Sequence, residues 1–197
     1  MAPHDVPPFR LILPAGWEEH PADRESVARL VGRSREIFRS QHRPDLDSEF
    51  SQMMGLSVNK MKQGGVFALY LQETVPPDEI LPMSLTAAVA RGQLGGTLDR
   101  QVSSLFREQK AEFLTDDRAI VRWRTDAVQT GKLAGASTRT LSYLVAIPGT
   151  ERRTAVLFTT TIPYPTGGEA ENEQMIDDIT LLSDTVISTF AWEPTRS

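Results

Sequence analysis

Arg122 and Arg124 stand two apart in a run that alternates apolar and polar residues, a spacing that puts both guanidinium groups on one face of a strand. Two such groups on an open sheet can grip a carboxylate bidentately. With Thr140, Ser142, Thr159 and Thr161 from the strands that follow, they form a candidate interaction surface. The plainer expectation for the arginines is pairing with Asp126 or Glu73, which at an exposed site contributes only about a few tenths of a kcal/mol.

A second chemistry is anion binding. Arg91-Gly92-Gln93-Leu94-Gly95-Gly96-Thr97 precedes a predicted helix, where backbone amides at Gly95, Gly96 and Thr97 could hold an anion with Arg91 and Arg100 balancing its charge. The junction has no Gly-Lys-Ser/Thr and no Gly-x-Gly-x-x-Gly spacing, and a plain loop with Thr97 as helix N-cap accounts for the same residues.

Other constellations are weaker. His4, His20 and His42 have no partner at the helical spacing of a metal site, so solvent-exposed histidines are expected and no metal or cofactor is called for. The carboxylate pairs Asp116-Asp117 and Asp177-Asp178 are chain neighbours, whose side chains point apart; a polar turn and a solvated helix face are expected. No serine lies in a Gly-x-Ser-x-Gly elbow. Met53, Met54 and Met61 on a predicted helix suit either core packing or adaptable contacts.

The elements that must position these groups follow from periodicity. Arg118 to Val128, Thr138 to Ile147 and Arg153 to Pro163 read as successive antiparallel strands, and Glu173 to Phe190 reads as a helix with Met175, Ile176, Ile179, Leu182, Val186, Ile187 and Phe190 on one stripe. Upstream, Phe9 to Leu13 reads as a first strand, and Asp23, with Ser26 as the alternative, caps a helix running to about Gln41. A second helix follows over Asp45 to Lys62, then strands over Val66 to Val75 and Ser84 to Ala90. A helix over Thr97 to Lys110 and a short strand near Glu112 to Leu114 complete the series. The order predicts the α+β class: an antiparallel meander packed against helices and closed by an amphipathic C-terminal helix. A single domain over residues 1–197 is expected, with a Pro-rich leader over about residues 1–8.

Composition narrows the function. With 197 residues, 40% hydrophobic and 24% charged, the chain has the profile of a globular domain with an adequate core. A net charge of -5 without any Lys/Arg block argues against nucleic acid as partner. The absence of cysteine removes disulfides, thiolate nucleophiles and Cys-based metal sites. No stretch reaches the roughly 18 apolar residues that span a bilayer, and the N-terminal residues lack the pattern of a signal peptide, so no membrane association and a cytoplasmic setting are expected.

The opening Phe9-x-Leu11-x-Leu13-Pro14-x-Gly16-Trp17, followed by helix, meander and the closing segment Ile179 to Phe190, resembles the Mog1/PsbP-like fold family. The resemblance spans nearly the whole chain loosely, and only the Leu-Pro-x-Gly-Trp opening is motif-like. It implies a scaffold typical of binding modules and carries no partner-binding motif onto this chain. The expected function is a non-enzymatic interaction module binding another protein or its own copy. The alternative is a small-ligand or anion-binding protein, an enzyme included, working at the Gly95 junction.

Overall fold

The computed structural model describes residues 6–23, 25–26, 63–76, 79–129, 136–167 and 169–194. In chain order the elements are β1 Phe9–Arg10, β2 Trp17–Pro21, β3 Val66–Gln72, β4 Ser84–Arg91, a 3-10 turn at Gln93–Gly95 and α1 Asp99–Glu108. They continue with β5 Glu112–Phe113, β6 Ile120–Val128, β7 Ala136–Ala146, β8 Thr154–Pro165, α2 Glu169–Ser188 and β9 Ala191–Trp192. The predicted strands from β3 to β8 and the predicted helices α1 and α2 are present, whereas β2 and β9 are not among the predicted elements, and the protein is of the α+β class. The predicted helices over 27–41 and 45–62, with Met53, Met54 and Met61, lie outside the described residues.

Seven strands form one antiparallel sheet in the order β2-β3-β4-β8-β7-β6-β5, while β1 and β9 pair as a separate two-stranded sheet. The long Thr-bearing strands β7 and β8 sit at its centre, where β-branched side chains pack well on a pleated surface. One sheet face carries Leu85, Leu141, Tyr143, Val156, Phe158 and Ile162, and α2 lays Ile176, Ile179, Val186 and Ile187 over them. Burying each such side chain stabilises by about 1.5 to 3 kcal/mol before its lost entropy is counted. The other face carries Val121, Leu144 and Ala155 at one end, packed under Leu98, Val102, Leu105 and Phe106 of the α1 region. The sheet is therefore covered on both faces, by α2 on one and by α1 over part of the other.

A polar network ties α2 to this sheet. Asp184 Oδ1 accepts from Arg122 Nε at 2.7 Å and from the Tyr143 hydroxyl at 2.7 Å. Tyr143 also lies 2.9 Å from Ser183 Oγ, which shares a 2.6 Å hydrogen bond with Thr160 Oγ1. Tyr143, Thr160 and Ser183 are fully buried, so these groups satisfy one another in place of water.

Burial, then the Asp184 charge, pushes the Tyr143 phenol well above its ordinary range; burial, then Glu19, does the same to Tyr70. Because both stay neutral in the fold but ionise near pH 10 when unfolded, their contribution is complete below about pH 10 and is lost as pH rises beyond it. Stability should fall by about 1.4 kcal/mol per pH unit for each tyrosine in that range. Urea unfolding repeated from neutral to alkaline pH reads this slope, and Tyr143→Phe should halve it.

Several boundaries differ from the sequence expectation, among them the start of α2, at Glu169 where Glu173 is expected. Only Phe9–Arg10 of the predicted first strand is extended, and it joins β9 instead of the main sheet. Prolines at 7, 8 and 14 flank it without amide donors, and the Ile12 amide bonds to the Thr189 hydroxyl at 2.9 Å. The helix α1 starts at Asp99, with Leu98 at the N-cap position and no side-chain cap, so Thr97 does not cap it. There the Leu98 amide is taken by the Arg152 carbonyl at 2.8 Å and its side chain is buried, which fixes the helix start by tertiary contact. Strand β3 stops at Gln72, whose side-chain amide exchanges two 2.9 Å hydrogen bonds with the Leu81 backbone. The predicted cap at Asp23 is present: its Oδ1 accepts the Ser26 amide at 2.8 Å.

The Leu-Pro-x-Gly-Trp opening is a turn. The Trp17 amide returns to the Pro14 carbonyl at 3.2 Å, Gly16 adopts a φ of +80°, and a Cβ there would stand 2.9 Å from Val75. Only glycine fits, and the turn delivers Trp17 into the core.

Candidate functional site

Cross-strand register assembles a site from single residues that the sequence scatters. Thr125, Thr140, Thr161 and Ser84 stand side by side across β6, β7, β8 and β4. One step along, Trp123, Ser142, Thr159 and Thr86 form a second row, prolonged by Leu69 and His20 on β3 and β2. Opposite residues in an antiparallel sheet share a face, so the two rows make one hydroxyl-lined patch on the side away from α2. Thr125 and Ser84 are exposed, Ser142 is buried, and Thr86, Thr140, Thr159, Thr161 and Trp123 are half-buried. Trp123 borders the α1 cluster and closes one end of the second row. The eight side chains from Thr125 to Thr86 carry no charge.

The predicted surface is thus brought together in part. Thr140, Ser142, Thr159 and Thr161 share the patch, but Arg122 and Arg124 point to the opposite face, in register with Tyr143 and Leu141. Alternation correctly groups the residues of β6 and leaves undecided which group meets the main core. Here α2 meets the arginine side, its apolar stripe sharing one core with Leu141 and Tyr143 and its Asp184 accepting from Arg122. Arg122 is held by Asp184 and, at 2.7 Å, by Glu112, with only 15% of its side chain exposed. Its guanidinium stays charged, reinforced by the Asp184 and Glu112 carboxylates against the opposing effect of burial. It is a structural cation. Arg124 lies 3.8 Å from Asp126 with 58% of its side chain exposed. Asp177, expected on a solvated helix face, lies 3.5 Å from Arg139, which also holds Asp126 at 2.9 Å.

The patch residues that sequence reading missed are Thr125, Trp123, Ser84 and Thr86. The signal was present in Ser84-x-Thr86 and Trp123-x-Thr125, whose spacing of two matches Thr140-x-Ser142 and Thr159-x-Thr161.

At the other candidate site, Gly96, Thr97 and Arg100 line a cavity of about 680 Å³ between the 3-10 turn and α1, together with Gln93, Gln101, Ser104 and Glu108. The Gly96 amide donates to the Gln93 carbonyl at 2.9 Å and the Gly95 amide to the Gly92 carbonyl at 3.3 Å, so neither points to a ligand. A Cβ on Gly92 would fall 1.8 Å from the Gly96 carbonyl oxygen, so the glycines are explained by the tightness of this turn. Asp99 already places a carboxylate in the first turn of α1, 3.3 Å from Arg152. Arg91 ends β4 and is not among the residues lining the cavity.

His20, expected at the surface, is buried on β2 with Nε2 3.1 Å from Glu73. His4 and His42 lie outside the described residues. Asp117 belongs to a turn: the Thr115 hydroxyl and the Ala119 amide donate to it and lower its pKa. Among the described residues no three His, Asp or Glu side chains converge as a metal site, and no helix is long and apolar enough to cross a membrane.

The fold and patch define an α+β protein with a sheet-borne candidate surface. No family model matches the chain, and no curated protein matches it. Among solved structures it is similar to a point variant of protein Mog1, at 14% identity and a TM-score of 0.44, covering 65% of this chain and 80% of that one. It is likewise similar to the Saccharomyces cerevisiae Ran-binding protein Mog1p, at 15% identity and a TM-score of 0.39, covering 64% and 78%. The resemblance to the Mog1/PsbP-like family is a weak one at the level of fold.

Proposed function

We propose that this protein is a non-enzymatic interaction module that engages another protein through the hydroxyl-lined patch of Thr125, Thr140, Thr161, Ser84, Ser142, Thr159 and Thr86, with Trp123 as its anchor. The observation that carries the proposal is the pairing of those rows: short hydroxyl side chains hydrogen-bond adaptably, and a neighbouring indole supplies apolar contact area at small entropic cost. Charge is absent from the patch, so a partner that pairs with its hydroxyls need not desolvate an ion there.

The test is affinity capture of the tagged protein from native lysate, followed by Thr161→Arg and Thr140→Arg. Each arginine should weaken capture of a stoichiometric partner at least about tenfold, equivalent to roughly 1.4 kcal/mol, with an unchanged circular dichroism spectrum. Full capture by both folded variants would remove the patch from the interface.

A further inference from the structure

We infer that the outer edge of β6 is a self-association site, on which a second copy of this chain adds its own β6 antiparallel, with Thr125 facing Thr125 across a two-fold axis. The inference rests on the backbone edge of β6 and its charges, although Thr125 and Trp123 also belong to the patch described above. Strand β6 runs over Ile120–Val128, yet among the described residues its outer neighbour β5 reaches only Val121 and Arg122. From Arg124 to Val128 every residue is exposed, and Val128 is 64% exposed. A strand edge of this length offers alternate amides and carbonyls to any strand that can lie along it.

The side chains select the occupant. With Thr125 on the axis, Arg124 of each copy lies directly opposite Asp126 of the other, and Trp123 lies opposite Ala127. Opposite charges directly across an antiparallel pair attract and like charges repel. Shifting the axis to Asp126 would set aspartate against aspartate. Shifting it to Arg124 would set arginine against arginine and would bring Asp126 of the copy onto the place of Glu112 opposite Arg122, a place that the Thr125 register reaches only with Val128, so that there the pairing ends at Trp123 and Ala127. The sequence Arg124-Thr125-Asp126 is therefore complementary to itself in one register that keeps both α2 helices on the same side of the joined sheet. Among the described residues Arg124 is held only by the 3.8 Å contact to Asp126, with 58% of its side chain exposed. The same two charges disfavour an uncharged foreign strand, the usual protection of a sheet edge.

Sedimentation equilibrium of the full chain across a wide concentration range tests the inference. The expected result is a mass that doubles with concentration, stays monomeric in Arg124→Asp, and doubles again in the charge-swapped Arg124→Asp, Asp126→Arg variant. Thermal melts of all three establish that they are folded, and amide exchange at 124–127 should slow in the two dimeric forms alone. A wild type monomeric at every concentration would overturn the inference. So would a dimer indifferent to Arg124→Asp, which would place the contact elsewhere, or a monomer whose 124–127 amides are protected only by a different protein.

Discussion

Phe158→Ala is expected to lower the unfolding free energy by about 3 to 5 kcal/mol, a large part of the roughly 5 to 15 kcal/mol that holds a domain of this kind together. Phe158 is fully buried at the centre of β8, with ring centroids of Phe9 and Phe190 each 5.7 Å away and Tyr70 at 6.5 Å. Removing the ring leaves a cavity and ends edge-on contacts that contribute about 0.5 to 1.5 kcal/mol each beyond burial. Phe158→Leu fills most of that space but still loses the two edge-on contacts, and should cost about 1 to 3 kcal/mol. Urea unfolding of both variants separates cavity from ring geometry, and equal losses would argue against a cavity at this position.

The second large effect is expected from Asp184→Ala, at about 3 kcal/mol, because among the described residues it leaves the largely buried Arg122 guanidinium with only the exposed Glu112 carboxylate and the Tyr143 hydroxyl with Ser183 in place of a charged acceptor. Only 23% of the Asp184 side chain is exposed, so water compensates incompletely. The informative comparison is Arg122→Met with Asp184→Leu, which removes both charges at once and should recover most of the loss. Recovery identifies the loss as the penalty of a stranded charge. If the double variant is as unstable as Asp184→Ala, the pair itself carries the stabilisation.

Much of the fold was legible from period alone. Strands β6, β7 and β8 and helix α2 emerge close to their predicted bounds because long alternating runs and a three-four stripe each admit one regular structure. The candidate surface was half legible. Thr140, Ser142, Thr159 and Thr161 were grouped correctly, but Val121 and Trp123 look like the core side of β6 when they form the side that meets α1. What places Arg122 under α2 is Asp184, 62 residues downstream, and no local window contains both. His20 was misjudged for a related reason: its environment comes from Leu69 and Glu73, brought to it by β3. The two-residue strands β1 and β9 are too short to show any period, so their pairing was invisible in the sequence.

That pairing has a mechanical consequence. Phe9 lies opposite Trp192, and the Glu193 amide bonds to the Pro8 carbonyl at 2.8 Å, so the incoming and outgoing chain leave the clasp from the same end. A force pulling the two ends apart would open its hydrogen bonds one after another, as a zipper opens, and would not load them together in shear. Behind them stand the rings of Phe9, Phe190 and Trp192, the next contacts to part. Under tension this molecule should peel from its clasp inwards, releasing α2 before the seven-stranded sheet yields.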